Sequence, residues 1–178
     1  MTEIRTPRLL LRQWTDDDLV PLAEIHADPA VMRWIGDGSP LDLEQTADAI
    51  ERWEEEWDDE GFGLFAVELL ASGELIGAVG LTTPADLPEL ASEIAVEFRL
   101  GRQYWGQGYA SEAAHAVLEF ALQDRGLDRV IAVTRVGHTA ARNVLDKLGL
   151  HLERETTGPG EDRHALEIHA IDLTEYEG

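Results

Sequence analysis

Between residues 93 and 136 a β-run, a glycine turn, an apolar helical stripe and a second β-run follow one another, and this order restricts the fold more than any other feature. Glu93 to Leu100 alternates, with Ile94, Val96, Phe98 and Leu100 on one face and Glu93, Ala95, Glu97 and Arg99 on the other. From Tyr109 to about Asp124, Ala110, Ala113, Ala114, Val117, Leu118 and Ala121 recur at helical spacing, and Gly126 closes the stripe. Val130 to Val136 is β-branched and reads as a strand. A helix set between two strands is a crossover, so the sheet cannot be built from hairpins alone.

The flanking segments complete that sheet. Arg8 to Trp14 reads as a short strand, and Thr15 followed by three aspartates caps a helix running to about His26. Asp28-Pro29 opens a brief turn or helix, and Gly36 to Pro40 breaks the chain. Leu43, Ala47, Ile50, Trp53 and Trp57 mark one long amphipathic helix with an acidic outer face. Runs at 64–70 and 74–82 are strands joined by Ser72-Gly73. Thr139 to Leu148 is a helix closed by Gly149, and strands at 151–156 and 164–172 flank the turn Gly158-Pro159-Gly160. The expectation is one α/β domain over residues 1–178, a mixed twisted sheet of about seven strands with helices on both faces.

Charge narrows the partners. The chain of 178 residues carries a net charge of −22, which disfavours nucleic acid and anionic membrane surfaces. It has no Cys, so thiolate chemistry and disulfides are excluded, and it has no apolar run of the roughly 18 residues a spanning helix needs. The amino terminus lacks the apolar core of a signal peptide, and the chain reads as cytoplasmic. His26, His115, His151, His164 and His169 show no ligand spacing, so no metal is expected. A bland origin for the acidity, a high-salt cytoplasm or a GC-rich genome, fits the near absence of lysine, Lys147 being the single one.

The charge is unevenly spread. Residues 1–89 hold five basic and 21 acidic side chains, a net −16, whereas residues 99–142 hold six arginines and four acids, a net +2. The positive segment surrounds Gly106 and Gly108 in a strand-to-helix turn. There a backbone without Cβ atoms can aim several N–H groups, together with the first-turn donors of the helix, at one anion. A tight turn with no ligand is the alternative, and a dinucleotide or Walker loop fits worse because its third glycine or Gly-Lys-Ser/Thr ending is missing. An anionic ligand at the middle and a cationic ligand facing the first half follow as expectations.

Gln103-Tyr104-Trp105-Gly106-Gln107-Gly108-Tyr109-Ala110 resembles the Q/R-x-x-G-x-G/A motif of the GNAT superfamily of N-acyltransferases. Tyr-Trp-Gly-Gln-Gly-Tyr-Ala-Ser-Glu-Ala is especially similar to its ribosomal-protein-alanine N-acetyltransferase-like branch. Arg5 to Arg12 resembles that branch's opening strand, Leu75 to Leu81 its third strand, and Asn143 to Leu150 its late helix. The resemblance implies acetyl-CoA as acyl donor, its pyrophosphate on the amides from about Gln103 to Ala110 and its pantetheine along Phe98, Arg99 and Leu100, in a gap opened from the strand at 130–136. Arg102 is the candidate side-chain contact to phosphate, and Trp105, Gln107, Tyr109 and Asn143 join the cofactor set.

The implied reaction is attack of a neutral amine on the thioester in a ternary complex, without a covalent enzyme intermediate. Neutralising a lysine-like amine of pKa about 10.4 costs about 4.6 kcal/mol at pH 7, against about 1 kcal/mol for an α-amine near 7.8. A protein N-terminus or an amino-acid α-amine therefore needs little base assistance, and a base matters most for polyamine or lysine acceptors. Members of this branch commonly carry Glu where Ala95 stands; Glu93 and Glu97 flank it as candidates to bind the amine or relay its proton through water, Glu97 ahead because it is nearer the pantetheine. The usual Ser or Tyr proton donor is replaced by Ala141 and Leu145, leaving His138 as the candidate acid or CoA contact. Trp34, Trp53 and Trp57 are acceptor-pocket candidates, although residues at the helical spacing of the latter two are more often core. Two other readings stay open: a CoA-binding module with little or no turnover, and an acetyltransferase acting on a cationic antibiotic. A homodimer is compatible with the sequence.

Overall fold

In the computed structural model, which describes residues 2–84, 86–159 and 164–176, the strands form one mixed sheet in the order β1-β2-β3-β4-β5-β6-β8-β7. The first half is antiparallel: β1 (Ile4–Arg5), β2 (Leu9–Arg12), β3 (Leu64–Leu69), β4 (Leu75–Thr82) and β5 (Ala95–Leu100). The Tyr109–Gln123 helix then crosses over to β6 (Arg129–Arg135), parallel to β5, while β8 (Ala165–Asp172) pairs antiparallel with both β6 and β7 (His151–Thr157).

The expected mixed sheet of about seven strands is found with eight among the described residues, the segment before Pro7 adding the two-residue β1; Pro7 and Arg8 turn the chain, and the Thr6 amide donates to the Leu9 carbonyl at 2.9 Å. One boundary is corrected. The strand expected from Glu93 begins at Ala95, since a 3-10 turn at Pro88–Leu90 still holds the Glu93 amide on the Leu90 carbonyl at 2.9 Å. Gly160, in the expected turn before β8, lies outside the described residues.

The described residues form the α-helices α1 (Leu19–His26), α2 (Pro29–Met32), α3 (Leu43–Glu60), α4 (Tyr109–Gln123) and α5 (Thr139–Leu148). Asp42 caps α3 by accepting the Gln45 amide at 2.8 Å while the Gln45 side chain accepts the Asp42 amide at 2.9 Å, a reciprocal box that fixes where the helix starts. On one face, Leu22 of α1 and Ala49, Ile50 and Trp53 of α3 pack on Leu64, Ala66 and Ala78. On the other, Val117, Leu118 and Phe120 of α4 and Leu145 and Leu148 of α5 pack on Phe65, Val67, Val79 and Val96. The helices thus lie on both faces, and β5 gives Val96, Phe98 and Leu100 to the α4 layer while Arg99 reaches Trp53 of α3. Among the described residues no helix is long and apolar enough to cross a membrane.

Candidate active site

The turn between β5 and α4 is set by its backbone. The Tyr104 amide donates to the Gly101 carbonyl at 2.9 Å and the Trp105 amide to the Arg102 carbonyl at 3.2 Å, making a 3-10 turn. Gly106 and Gly108 then take φ of 72° and 82°, left-handed values that L side chains resist. Among the described residues, the amides of 106–111 donate to no backbone or side-chain acceptor inside the protein. A cluster of unpaired donors at the positive end of a fifteen-residue helix suits an anion, as the sequence implied.

One part of this loop was invisible in the sequence. Arg8, at the β1–β2 turn, donates from Nε to Glu112 Oε1 at 2.7 Å and from Nη1 to the Gln107 carbonyl at 2.9 Å, and its guanidinium lies 4.2 Å from the Tyr109 ring centre. Thr6 Oγ1 donates to Glu112 Oε2 at 2.6 Å. Burial opposes ionisation of Glu112, but the hydrogen bonds from Thr6 and Arg8 outweigh it and hold the carboxyl below its ordinary range. Arg8 and Glu112 stand 104 residues apart, a distance at which no spacing rule operates.

Other cofactor candidates divide. Arg102 is spent on Asp28, Nε to Oδ2 at 3.0 Å, with a largely exposed side chain. Trp105 donates its indole N–H to the Leu100 carbonyl at 2.9 Å, and Gln107 donates its side-chain amide to the Gln103 carbonyl at 3.0 Å, so both brace the loop from within. Phe98 is half-buried on the α4 side, and Asn143 is exposed on α5.

Beyond the loop the sheet opens. β5 and β6 share one register pair, Ala95 with Ile131, and the Ile131 amide donates to the Ile94 carbonyl at 2.9 Å; past that point the strands diverge. The gap leads into a cavity of about 610 Å³ walled by α3, the residues after α2, β5, β6 and the start of α5. Trp34, Trp53, Glu97, Arg99, His138 and Thr134 all reach it, whereas Trp57 packs in the core against Phe65 at 4.7 Å between ring centres. A second cavity, about 730 Å³, lies between α1 and the 102–104 turn, away from the gap. Its arginines, Arg12 and Arg102, are both spent on carboxylates.

The two candidate carboxylates separate. Glu93, ahead of the strand, accepts from Arg129 Nε at 3.3 and 3.1 Å and does not line the cavity. Glu97 does line it and is paired with Arg99 Nη2. Arg99 Nη1 lies 3.2 Å from His26 Nε2, and His26 Nδ1 lies 3.0 Å from Thr46 Oγ1. An arginine has only donors, so His26 Nε2 accepts and its proton sits on Nδ1, toward Thr46. Burial first, then the Arg99 charge, pushes His26 down to about 3, which keeps it neutral. The guanidinium also lies 5.3 Å from the Trp53 ring centre. Glu97 is therefore an oriented carboxylate with a permanent cationic partner.

His138 stacks on Trp34, ring centres 4.7 Å apart and planes at 6°, and burial lowers its pKa. A neutral imidazole near pH 7 accepts protons more readily than it donates them. Ala141 lines the cavity and Leu145 is fully buried, so α5 presents no hydroxyl at either place. Among the described residues no group of three or more His, Asp or Glu is placed to hold a metal.

The family model described as "Acetyltransferase (GNAT) domain" matches residues 8–151. Uncharacterized protein YkkB of Bacillus subtilis is 30% identical over 156 residues, 86% of this chain and 87% of its own. The FsC-acetyl coenzyme A-N(2)-transacetylase of Aspergillus fumigatus is 31% identical over 151 residues, 76% of this chain and 63% of its own. The crystal structure of a GNAT-family acetyltransferase from Bacillus anthracis superposes with a TM-score of 0.82 at 25% identity, covering 98% of this chain and 100% of that one.

Proposed function

The chain belongs to the GNAT acetyltransferase family, and from that premise we propose that it transfers the acetyl group of acetyl-CoA to a primary amine by direct attack in a ternary complex. The observation that carries this reading is continuity. The unpaired amides of residues 106–111 follow directly on the C-terminal end of β5, and β5, which pairs with β6 only at Ala95, gives Ala95 to Arg99 to the wall of the cavity holding Glu97. The diphosphate of the donor would lie on those amides, with φ-positive Gly106 and Gly108 leaving the backbone exposed to it. The pantetheine arm would follow the free edge of β5 along Phe98, Arg99 and Leu100, and the acceptor would enter from the Trp34 and Trp53 side.

The acceptor is proposed to be a protein N-terminal α-amine or a small amine. Glu97 is paired with Arg99, so it suits a water-mediated proton relay from an amine that needs only about 1 kcal/mol to become neutral at pH 7. Deprotonating a lysine-like amine, at about 4.6 kcal/mol, would ask more of it. The motif similarity to the ribosomal-protein-alanine branch favours the N-terminus; the name of the transacetylase relative supports acetyl coenzyme A as donor and a nitrogen as acceptor.

Free-thiol release from acetyl-CoA in the presence of alanine-initiated peptides, lysine-like amines and aminoglycosides tests the assignment. Acceptor-dependent release with α-amines in front is the expected result. The missing hydroxyls at Ala141 and Leu145 favour one competing reading, a module that binds CoA without turnover. Tight CoA binding with no release for any amine would establish it.

A further inference from the structure

The acetyl-transfer reading leaves one step open: Ala141 and Leu145 of α5 carry no hydroxyl to meet the departing sulfur, and the neutral, stacked His138 is a poor donor. The strand beneath α5 does carry a hydroxyl. Thr134 of β6 lines the same cavity as Ala141 and is only 9% exposed. Its Oγ1 is buried and has no hydrogen-bond partner. Buried hydroxyls are ordinarily satisfied, so an orphan in a residue that lines a cavity asks for a partner that the protein itself does not supply. Thr82 and Thr83, on the opposite wall, are instead engaged: Thr82 Oγ1 donates to the Thr83 carbonyl at 3.5 Å, and Thr83 Oγ1 to Glu56 Oε2 at 3.1 Å.

The surroundings reinforce the orphan. In register beside Thr134 on β8 is Glu167, 3% exposed, with Oε1 unpaired, and beside Ala132 is His169, 1% exposed, with both ring nitrogens unpaired. Arg142 Nε, on α5, stands 3.9 Å from Glu167 Oε1. No acceptor in this cluster takes the Thr134 proton, although a carboxylate lies on the adjoining strand position. The hydroxyl is thus held, desolvated and uncommitted, at the side of the gap from which α5 approaches.

Resting on the acetyl-transfer reading, we propose that Thr134 Oγ1–H donates a hydrogen bond to the CoA sulfur as it leaves, the part a hydroxyl on α5 would otherwise play. The amine lone pair forms the C–N bond, and the C–S bond breaks with its electron pair passing to sulfur. The nitrogen loses one proton to water held by Glu97, and the thiolate takes one from solvent once it is released. Thr134 keeps its own proton throughout and stabilises the charge rather than neutralising it.

The test uses Thr134→Val, nearly the same shape without the hydroxyl, and Thr134→Ser, which restores it. The first readout is the thiol pKa of bound CoA, followed by ultraviolet absorbance of the thiolate. Thr134→Val is expected to raise it by about one unit, the scale of one hydrogen bond to a charged atom. The second is kcat, expected to fall about tenfold in Thr134→Val with CoA affinity within about twofold, and to recover in Thr134→Ser. Wild-type thiol pKa and kcat in Thr134→Val would overturn the assignment while leaving acetyl transfer intact. A wild-type protein that binds no CoA, or transfers to no amine, overturns the acetyl-transfer reading itself, and Thr134 with it.

Discussion

Glu97 shows how a residue's chemistry is decided by what touches it. Alternation along the 93–100 run placed it on the face opposite Phe98, and the structure adds Arg99, anchored in turn by His26 and Trp53. Replacing Glu97 by Gln keeps the shape and removes the relay. The expected result is a fall of about tenfold or more in kcat/KM for lysine-like amines and a smaller loss for α-amines, because only the former carry the large deprotonation cost. Parallel assays at pH 7 with both amine classes check this; equal losses would remove Glu97 from proton transfer. The sequence set Glu97 ahead of Glu93 only for its place nearer the pantetheine stretch that the resemblance implies. What separates them is a 3-10 turn that delays the strand and an arginine on β6 that takes the carboxylate, neither of which has a local signal.

At the scale of elements, the loop from Gly101 to Gly108 and the first turn of α4 act together. Their backbone was legible because two glycines before an Ala-rich helical stripe need no tertiary information to read. Gly108→Val should be costly twice over: φ of 82° is unfavourable for a β-branched residue, and even a Cβ would come within 3.3 Å of Arg8 Nη2. The expected outcome is a loss of at least about tenfold in CoA affinity by calorimetry, since the strained turn must shift before its amides can converge. Unchanged affinity would show that the cradle does not hold the cofactor. The Arg8 to Glu112 clamp that fixes this helix end escaped the sequence reading, as did the diversion of Arg102 to Asp28. Both depend on which surface groups the fold happens to bring together.

For the whole molecule, buried His26 links α1, β5 and α3 through Arg99 and Thr46. Its folded pKa of about 3 lies below the ordinary 6.5. Between those values the unfolded chain binds a proton that the folded chain does not, so stability falls as pH drops through that window, by up to about 1.4 kcal/mol per pH unit from this group. Urea midpoints of wild type should therefore decline more steeply from pH 6.5 to 4 than those of His26→Gln, which cannot titrate; parallel curves would refute the linkage. The net charge of −22 is a sequence property and so is its division, positive around the loop and negative before it. Element order, the glycine turn and the mixed sheet were likewise determined by the sequence, because periodicity and backbone permission are local. Tertiary structure alone decided that β5 and β6 part after Ala95 and Ile131, that Glu97 answers to Arg99, and that the orphan hydroxyl stands on β6 rather than α5. Those outcomes arise from contacts between residues far apart in the chain, where packing geometry rather than spacing chooses the partner.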